Sequence, residues 1–229
     1  MPVPQIKDSI NRLTAKERIY QTLRDWIIEG VLSPNEKLNE AELAEHFSVS
    51  RTPVREAIQL LEVQKLVEIQ PGKATIVTGI DIKKLREWYL PLAAIQGLAA
   101  EMACAKATPL DIKDLQKQND AFASAMQNGT TREIQDADAA FHNRILEIAG
   151  NQYLTDFSET LFLHVQRIEH TYFQKQSESA GLVQAHQGII DAIAGSDPTA
   201  AGERMKRNWL QTMALYEETL FTDETKSLS

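Results

Sequence analysis

The chain has 229 residues, enough for one or two domains, and 43% of them are hydrophobic, which is sufficient for a buried core. A single cysteine, Cys104, excludes a disulfide framework and suits a reducing compartment. Because the sequence shows neither an apolar run that could span a bilayer nor a signal-peptide pattern, we expect a cytoplasmic protein with no membrane partner.

The net charge of −8 is unevenly distributed along the chain. Residues 1–77 hold 10 Lys and Arg against 11 Asp and Glu, whereas residues 78–229 hold 14 against 21. This excludes a global positive field as a source of nucleic-acid affinity. If the first third binds DNA, a local basic face has to provide the attraction.

The first 77 residues predict three helices and a β-hairpin. Thr14-Ala15-Lys16-Glu17 is a capping box that opens the first helix. Two short helices joined by a tight turn follow within residues 39–64. Apolar and β-branched residues on either side of Gln70-Pro71-Gly72-Lys73 then predict a short hairpin. Together these elements predict a winged helix–turn–helix domain over residues 1–77.

The last of these helices begins with residue types that bind DNA. Ser50 is placed to cap the helix, and Pro53 is tolerated in its first turn. Arg51 and Arg55 share one face, where a guanidinium can bind guanine with two hydrogen bonds or clamp a phosphate. Thr52 can add a further contact. The alternative is an ordinary amphipathic hairpin with surface arginines, but the spacing favours DNA binding.

Helical periodicity dominates from Ile82 to the end, after a linker at residues 78–81. Pro91 is expected to kink or split the first segment. The predicted helices are 82–106, 109–128, 131–149, 151–176, 178–194 and 197–222. We therefore expect a mostly α protein whose second domain, residues 82–229, is an all-α six-helix antiparallel bundle.

Four polar residues of this bundle have the chemistry of a metal site. Asp138 and His142 lie at i and i+4 on one helix face, and His186 lies on the fifth predicted helix. One carboxylate and two imidazoles suit a divalent transition metal with open positions. Asn208, on the sixth helix, is a weaker fourth ligand. The alternative is a hydrogen-bonded Asp–His pair with no ion.

The two halves of the chain together resemble one protein family. The segments that resemble the GntR family of bacterial transcription regulators are Leu43-Ala44, Val49-Ser50-Arg51-Thr52-Pro53-Val54-Arg55-Glu56-Ala57 and Gln70-Pro71-Gly72-Lys73. The residues that resemble its FadR-like subfamily, with an FCD-type effector-binding domain, are Asp138, Phe141-His142, Gly150-Asn151 and His186.

The resemblance implies a homodimeric regulator, with a repressor as our expectation, that binds a palindromic operator in double-stranded DNA through two winged domains. It also implies a small effector, typically a carboxylic acid, bound in the helical domain and often held through a metal. The implied DNA-contacting residues are Lys37, Ser50, Arg51, Thr52, Arg55, Gly72 and Lys73. The implied metal ligands are Asp138, His142 and His186, with zinc or nickel as the expected ion.

The chain departs from the family pattern at two points. The fourth metal ligand is usually His, and the matching residue here is Asn208, a poorer donor for zinc or nickel. Relatives also carry an effector-binding arginine in their first bundle helix, whereas the matching stretch, residues 92–96, has none. Arg144 and Arg167 are candidate substitutes, although surface arginines are the alternative interpretation.

Two other functions stay open at this point. A metal-free sensor would bind an acyl or apolar ligand in the bundle against Leu161, Phe162, Val165 and Tyr172. A metal-dependent enzyme fused to a DNA-binding domain would activate a bound water. No general base is apparent beside the predicted metal site, so the favoured interpretation is a transcription regulator that is not an enzyme.

Overall fold

The structure is a computed structural model that describes residues 13–70, 72, 74–172 and 179–227. These residues form two compact units, one ending at Gly79 and the other beginning at Ile80. The described part of the chain is mostly helical with one small sheet, which confirms the predicted fold class. None of the described helices has both the length and the apolar character needed to cross a membrane.

The first unit contains three helices and a three-stranded antiparallel sheet. In chain order the elements are α1 (Ala15–Ile28), β1 (Lys37–Leu38), α2 (Glu40–His46), α3 (Arg51–Val63), β2 (Val67–Gln70) and β3 (Ala74–Val77). The predicted capping box is present, since the Thr14 hydroxyl accepts from the Glu17 N–H and the Glu17 carboxylate accepts from the Thr14 N–H. The unit is therefore a winged helix–turn–helix.

The sheet has one more strand than the predicted hairpin. Lys37 and Leu38, which no predicted element included, form β1 and pair with Ile76 and Thr75 of β3, giving the strand order β1-β3-β2. Two residues are too few to show an alternating pattern in the sequence. Because Leu38 is buried, this strand fixes the exposed Lys37 at the edge of the sheet.

The packing of α1 against α3 fixes the orientation of α3. Leu23 of α1 and Val54, Ile58 and Leu61 of α3 are completely buried. Burial of each such side chain contributes about 1.5–3 kcal/mol relative to exposure. The face of α3 opposite to these residues is consequently left to solvent.

The second unit is a bundle of helices. A 3₁₀ turn at Ile82–Lys84 precedes α4 (Leu85–Cys104), α5 (Pro109–Asn128), α6 (Thr131–Ala149), α7 (Gln152–Tyr172), α8 (Ser179–Ala194) and α9 (Pro198–Ser227). These match the six predicted helices. The first is shorter than predicted, the last is longer, and the predicted ends at 176 and 178 lie outside the described residues.

The central helix is α4, which contacts α6, α7, α8 and α9. Of the two predicted effects of Pro91, a kink or a split, the split does not occur, because α4 continues through Pro91 from Leu85 to Cys104. Tyr89, Leu92 and Ala93 are buried on either side of the proline. Their packing offsets the one backbone hydrogen bond that proline cannot make.

Candidate nucleic-acid interface and metal centre

The predicted DNA-contacting residues of α3 lie together at its exposed N-terminal end. Arg51 and Thr52 are its first two residues, and Arg55 follows one turn later; all three are exposed. The first backbone N–H groups of a helix have no partner within the helix and attract anions. This end of α3 therefore combines two guanidinium groups with backbone donors suited to phosphate.

Ser50 does not cap α3 with its side chain, contrary to the prediction. It occupies the N-cap position with extended backbone angles, but its hydroxyl makes no capping hydrogen bond. A capping oxygen accepts from the N–H of the second or third helical residue. The third is Pro53, which has no N–H, so the more common capping partner is missing. The hydroxyl is left available for another partner.

An ion pair that the sequence analysis missed connects the two helices of the helix–turn–helix. Arg55 of α3 donates to the carboxylate of Glu40, the first residue of α2, with a closest distance of 2.8 Å. The hydrogen bonds to Glu40, followed by its charge, raise the pKa of Arg55. The residues are 15 apart and on different helices, so no helical spacing could indicate the pair.

The predicted wing contacts lie around the sheet. Lys37 is exposed on β1, and Gly72 lies in the turn between β2 and β3 with a φ of +73°, a conformation that favours glycine. Lys73 lies outside the described residues. The structure therefore gives a position to two of the three residues predicted to contact DNA outside α3.

Three predicted metal ligands converge in the second unit. Asp138 and His142 lie on α6 and His186 lies on α8, and one potential ligand atom from each lies within 4.8 Å of the others. The Asp138 carboxylate is 3.9 Å from Nε2 of His142 and 3.4 Å from Nε2 of His186. Both imidazoles are only 1% exposed. One carboxylate and two imidazoles therefore lie close enough together to bind one ion.

Aromatic side chains hold the two imidazole rings. The His186 ring stacks on Phe141 with centroids 4.0 Å apart and also contacts Phe122. The His142 ring packs against Trp209 at 4.4 Å. Rings packed in this way have few alternative rotamers. The positions of the nitrogen atoms are therefore set by packing.

Burial favours the neutral forms of these groups. It raises the pKa of Asp138 to about 7 and lowers the pKa of His186 to about 3. Burial, followed by repulsion from His186, also holds the pKa of His142 well below its usual value. A neutral imidazole keeps a lone pair, which metal coordination requires. The buried Nδ1 atoms of both histidines have no hydrogen-bond partner.

A cavity of about 50 Å³ adjoins Asp138 and His142. Its lining residues are Phe122, Met126, Ile134, Gln135, Asp138, His142, Glu169, Leu182, Asn208, Trp209, Thr212 and Tyr216. Asn208 of α9 therefore faces the same space as Asp138 and His142, the two predicted ligands of α6. The volume is enough for an ion with a few small groups.

Glu169 of α7 is a cavity residue that the sequence analysis missed. It accepts a hydrogen bond from the Tyr89 hydroxyl at 3.0 Å. Burial, followed by repulsion from Asp138, raises its pKa to about 8, although the Tyr89 bond opposes this. Its neighbours in the sequence gave no indication of a site, because a lone acid on an amphipathic helix is usually at the surface.

The two arginines predicted to hold an effector do not line this cavity. Arg144 donates to the carboxylates of Asp111, Asp114 and Glu147. Arg167 is buried on α7, and burial lowers its pKa to about 10. Their positions argue against a direct role in binding a ligand in the described cavity.

The residues of the alternative apolar site also lie elsewhere. Phe162 and Val165 are buried in the main core, and Leu161 packs against that core. The side chain of Tyr172 lies outside the described part of the structure. The described members of this set thus fill the core rather than line the cavity beside Asp138.

Comparison with known proteins identifies the family to which the chain belongs. Residues 15–77 match the family described as bacterial regulatory proteins, gntR family, and residues 89–210, more than half of the chain, match the FCD domain. The chain belongs to the GntR family and carries an FCD domain. The predicted resemblance is confirmed, and this GntR-family protein is a DNA-binding transcription regulator.

Individual relatives support the same class. This GntR-family chain is 31% identical over 216 residues to the Uxu operon regulator of Haemophilus influenzae, covering 84% of this chain and 77% of that protein. It is 27% identical over 192 residues to the HTH-type transcriptional repressor RspR of Escherichia coli, covering 84% of each chain. These relatives are regulators, which agrees with the prediction that the chain is not an enzyme.

A solved structure has the same fold. The E. coli protein McbR/YncC superimposes with a TM-score of 0.80 at 20% sequence identity, covering 91% of this chain and all of the other. At this identity the likeness concerns the fold alone. It extends over both units, so the pairing of a winged domain with a helical bundle is not peculiar to this chain.

Proposed function

We propose that this GntR-family regulator is a cytoplasmic repressor that binds a palindromic operator as a homodimer. A small organic acid, bound in the FCD domain through a divalent metal, controls its operator affinity. The observation that carries the proposal is the convergence of Asp138, His142 and His186 beside a cavity in a DNA-binding regulator. The repressor assignment follows the name of the relative RspR.

The residues present fit a divalent transition metal such as zinc or nickel. Asp138, His142 and His186 would hold the ion, with Asn208 as a weaker oxygen donor. Nε2 of each histidine faces the Asp138 carboxylate, so these two nitrogens are the atoms that would bind the ion. When bound, the ion would supply positive charge and an open position for an anionic group.

The charge of the cavity makes the proposed effector depend on the metal. Asp138 and Glu169 line it, and no Lys or Arg is among its described lining residues. An organic acid would therefore meet two carboxyl groups and no side-chain cation. Burial of an uncompensated anion is costly. The metal is the group that would offset the negative charge of the ligand.

An exposed apolar surface supports the homodimer. Leu90 and Leu98 of α4 are 47% and 45% exposed, and Tyr153 and Phe157 of α7 are 74% and 62% exposed. The two helices are in contact, and Gln96 of α4 donates a hydrogen bond to Ser158 of α7. Exposed apolar side chains on neighbouring helices commonly mark protein interfaces. We assign this surface to contact with a second copy of the chain.

The DNA-binding half of the proposal depends on the exposed end of α3. Arg51 and Arg55 would contact base edges or phosphates, with Thr52 and the uncommitted Ser50 hydroxyl adding hydrogen bonds. Lys37, Gly72 and Lys73 would contact the backbone or the minor groove beside the sheet. Two such domains in a dimer would set the spacing of the operator half-sites.

The deciding experiment measures metal content and acid binding together. Elemental analysis of untagged wild-type protein is expected to find a stoichiometric divalent metal, which the His142→Ala variant lacks. A panel of small organic acids is expected to raise the melting temperature of the wild type and to have no effect after chelation, because ligands that bind the native state stabilise it. His46→Ala, which alters an exposed histidine of the other unit, is the matched control.

Two outcomes would contradict this proposal. Acid-induced stabilisation that persists in chelated protein and in His142→Ala would favour a metal-free sensor. Absence of both the metal and any acid response would remove the proposed effector mechanism. Binding to duplex DNA in a gel-shift assay, with Arg51→Ala as the impaired variant, tests the operator half separately. The loss expected there is about 1–3 kcal/mol per two-point base contact.

A further inference from the structure

We propose that Glu40 is a specificity-determining residue of the DNA-binding domain, because it orients the guanidinium of Arg55 for base recognition. The proposal rests on the operator binding described above. It assigns a positioning role to Glu40, an acidic residue that lies beside a surface expected to meet polyanionic DNA.

The hydrogen bonds use one particular edge of the guanidinium. Nε of Arg55 lies 3.3 and 3.2 Å from the two carboxylate oxygens of Glu40, and Nη2 lies 2.8 Å from Oε2. A guanidinium has five N–H donors in a fixed planar fork. Glu40 therefore occupies the edge formed by Nε and Nη2. The outer edge, formed by Nη1 and the second N–H of Nη2, stays available.

The available edge is suited to guanine. Two parallel N–H donors can bond to O6 and N7 of guanine in the major groove at the same time. A free arginine side chain loses conformational freedom when it adopts one geometry on a ligand. Because Glu40 already orders Arg55 in the free protein, less freedom is lost on DNA. The Glu40–Arg55 pair thus has the geometry for binding one base before DNA is present.

The exposure of the two residues indicates that their pairing serves recognition more than folding. The side chains of Arg55 and Glu40 are 60% and 28% exposed, and ion pairs in such positions add little to stability. Arg51, by contrast, has no acidic partner in the part of the chain that the structure describes. The two arginines of α3 are therefore held differently, and only Arg55 is fixed from a neighbouring helix.

The negative charge of Glu40 adds a second effect. When the base opposite Arg55 is not guanine, the Glu40 carboxylate would repel nearby phosphate groups, and this repulsion would disfavour the complex. Removal of this charge is therefore expected to weaken discrimination while strengthening binding to unrelated DNA. A residue that only supported the fold would not change the base preference at a single position.

The experiment selects binding sites from a random-sequence duplex library with the full-length protein. Wild type, Glu40→Gln, Arg55→Ala and the control Glu45→Gln are compared. Glu45 is an exposed acid of the same helix without a described ion pair, so its variant has the same change in charge. Arg55→Ala identifies the base pair that Arg55 reads. Glu40→Gln is expected to lower the preference there on the order of tenfold, whereas Glu45→Gln keeps it.

Glu40→Asp separates geometry from charge. The shorter side chain keeps the charge but does not reach Arg55 in the same way, so the same position should lose its preference. Retention of full wild-type preference by both Glu40 variants would overturn the proposal. If the wild type itself enriches no sequence, it is the proposed operator binding that fails. Melting temperatures of all variants establish that they are folded.

Discussion

At the scale of single residues, the two hydroxyl residues that precede α1 and α3 differ in what they do. Thr14 caps its helix through a complete capping box, whereas Ser50 makes no capping bond because Pro53 occupies the third helical position. Both sequences look alike as helix starts. A proline three residues after the N-cap thus removes a capping partner, and the hydroxyl of the N-cap residue is left available to bind a ligand.

This difference predicts that two alanine substitutions affect different properties, one the stability of the fold and the other DNA binding. Thr14→Ala is expected to lower the free energy of unfolding by about 1 kcal/mol, since a capping bond is lost. Ser50→Ala is expected to change it by less than about 0.5 kcal/mol, yet to weaken binding to DNA. Urea denaturation and gel-shift titration measure the two effects. A Ser50→Ala protein that is as destabilised as Thr14→Ala would contradict this account.

Glu169 predicts a specific dependence of stability on pH. Its pKa is raised to about 8 in the folded protein, while the usual value is 4.5. The folded state thus retains a proton that the unfolded chain releases, so this contribution to stability is complete below pH 4.5 and is lost as the pH rises towards 8. Glu169→Gln removes the titration and should stabilise metal-free protein at pH 8 on the order of a few kcal/mol.

The test compares urea denaturation of wild type and Glu169→Gln at pH 5 and pH 8 after removal of metal. Asp138 shifts in the same direction and His186 titrates in the opposite sense, but both are present in each protein, so the difference reports Glu169 together with its repulsion from Asp138. Glu203→Gln, on the exposed face of α9, is the control. An equal difference between wild type and Glu169→Gln at both pH values would contradict the prediction.

At the scale of helices, α4 connects the proposed metal ligands with the exposed apolar side chains of α4 and α7. Trp209 packs on the His142 ring and donates a hydrogen bond to Gln96 of α4, which in turn donates to Ser158 of α7. All three side chains of this buried chain of hydrogen bonds are less than 4% exposed. A change in the position of Trp209 is therefore transmitted to the two helices that carry Leu98 and Phe157.

The surface on α4 and α7 predicts which substitutions separate the proposed dimer. Leu98→Glu or Phe157→Glu replaces an exposed apolar side chain of α4 or α7 with a charge, and burial of that charge against a second copy is unfavourable. Each variant is expected to be monomeric by light scattering coupled to size exclusion. Leu110→Glu is the matched control, because Leu110 is 66% exposed but lies on α5. A dimeric Leu98→Glu protein would place the interface elsewhere.

At the scale of the whole molecule, control of DNA binding by an effector requires two arrangements of the protein that the effector distinguishes. An effector lowers operator affinity only to the extent that it binds the arrangement with weaker DNA affinity more tightly. The reciprocal effect follows, so operator DNA is expected to weaken effector binding by the same factor. The two units of the chain are each complete, which suits control through their placement in a dimer.

Much of the architecture could be predicted from the sequence because its determinants are local. The capping box at Thr14 gave the start of α1, and the apolar periodicity gave six bundle helices close to their observed positions. Asp138 and His142 could be paired because i and i+4 share a helix face. The grouping of His186 with them was predicted only from the chemistry of metal ligands and from the resemblance to the family.

The parts that could not be predicted depend on contacts between distant residues. β1 consists of two residues and exists through pairing with β3, and Glu40 meets Arg55 across two helices. Glu169 reaches the cavity through packing of α7 against α4. The helix α4 continues through Pro91 because packing outweighs the backbone preference of proline. In each case the decisive energy comes from tertiary contact, which local patterns do not contain.

The aromatic packing around His142 and His186 has a consequence for how the protein behaves when metal is scarce. Because Phe141, Phe122 and Trp209 hold the rings in place, the ligand set is assembled by the hydrophobic core and not by an ion. Loss of the proposed metal would then leave a folded regulator that still binds its operator but no longer binds the organic acid. Operator binding would stop responding to the acid, although the amount of regulator would stay the same.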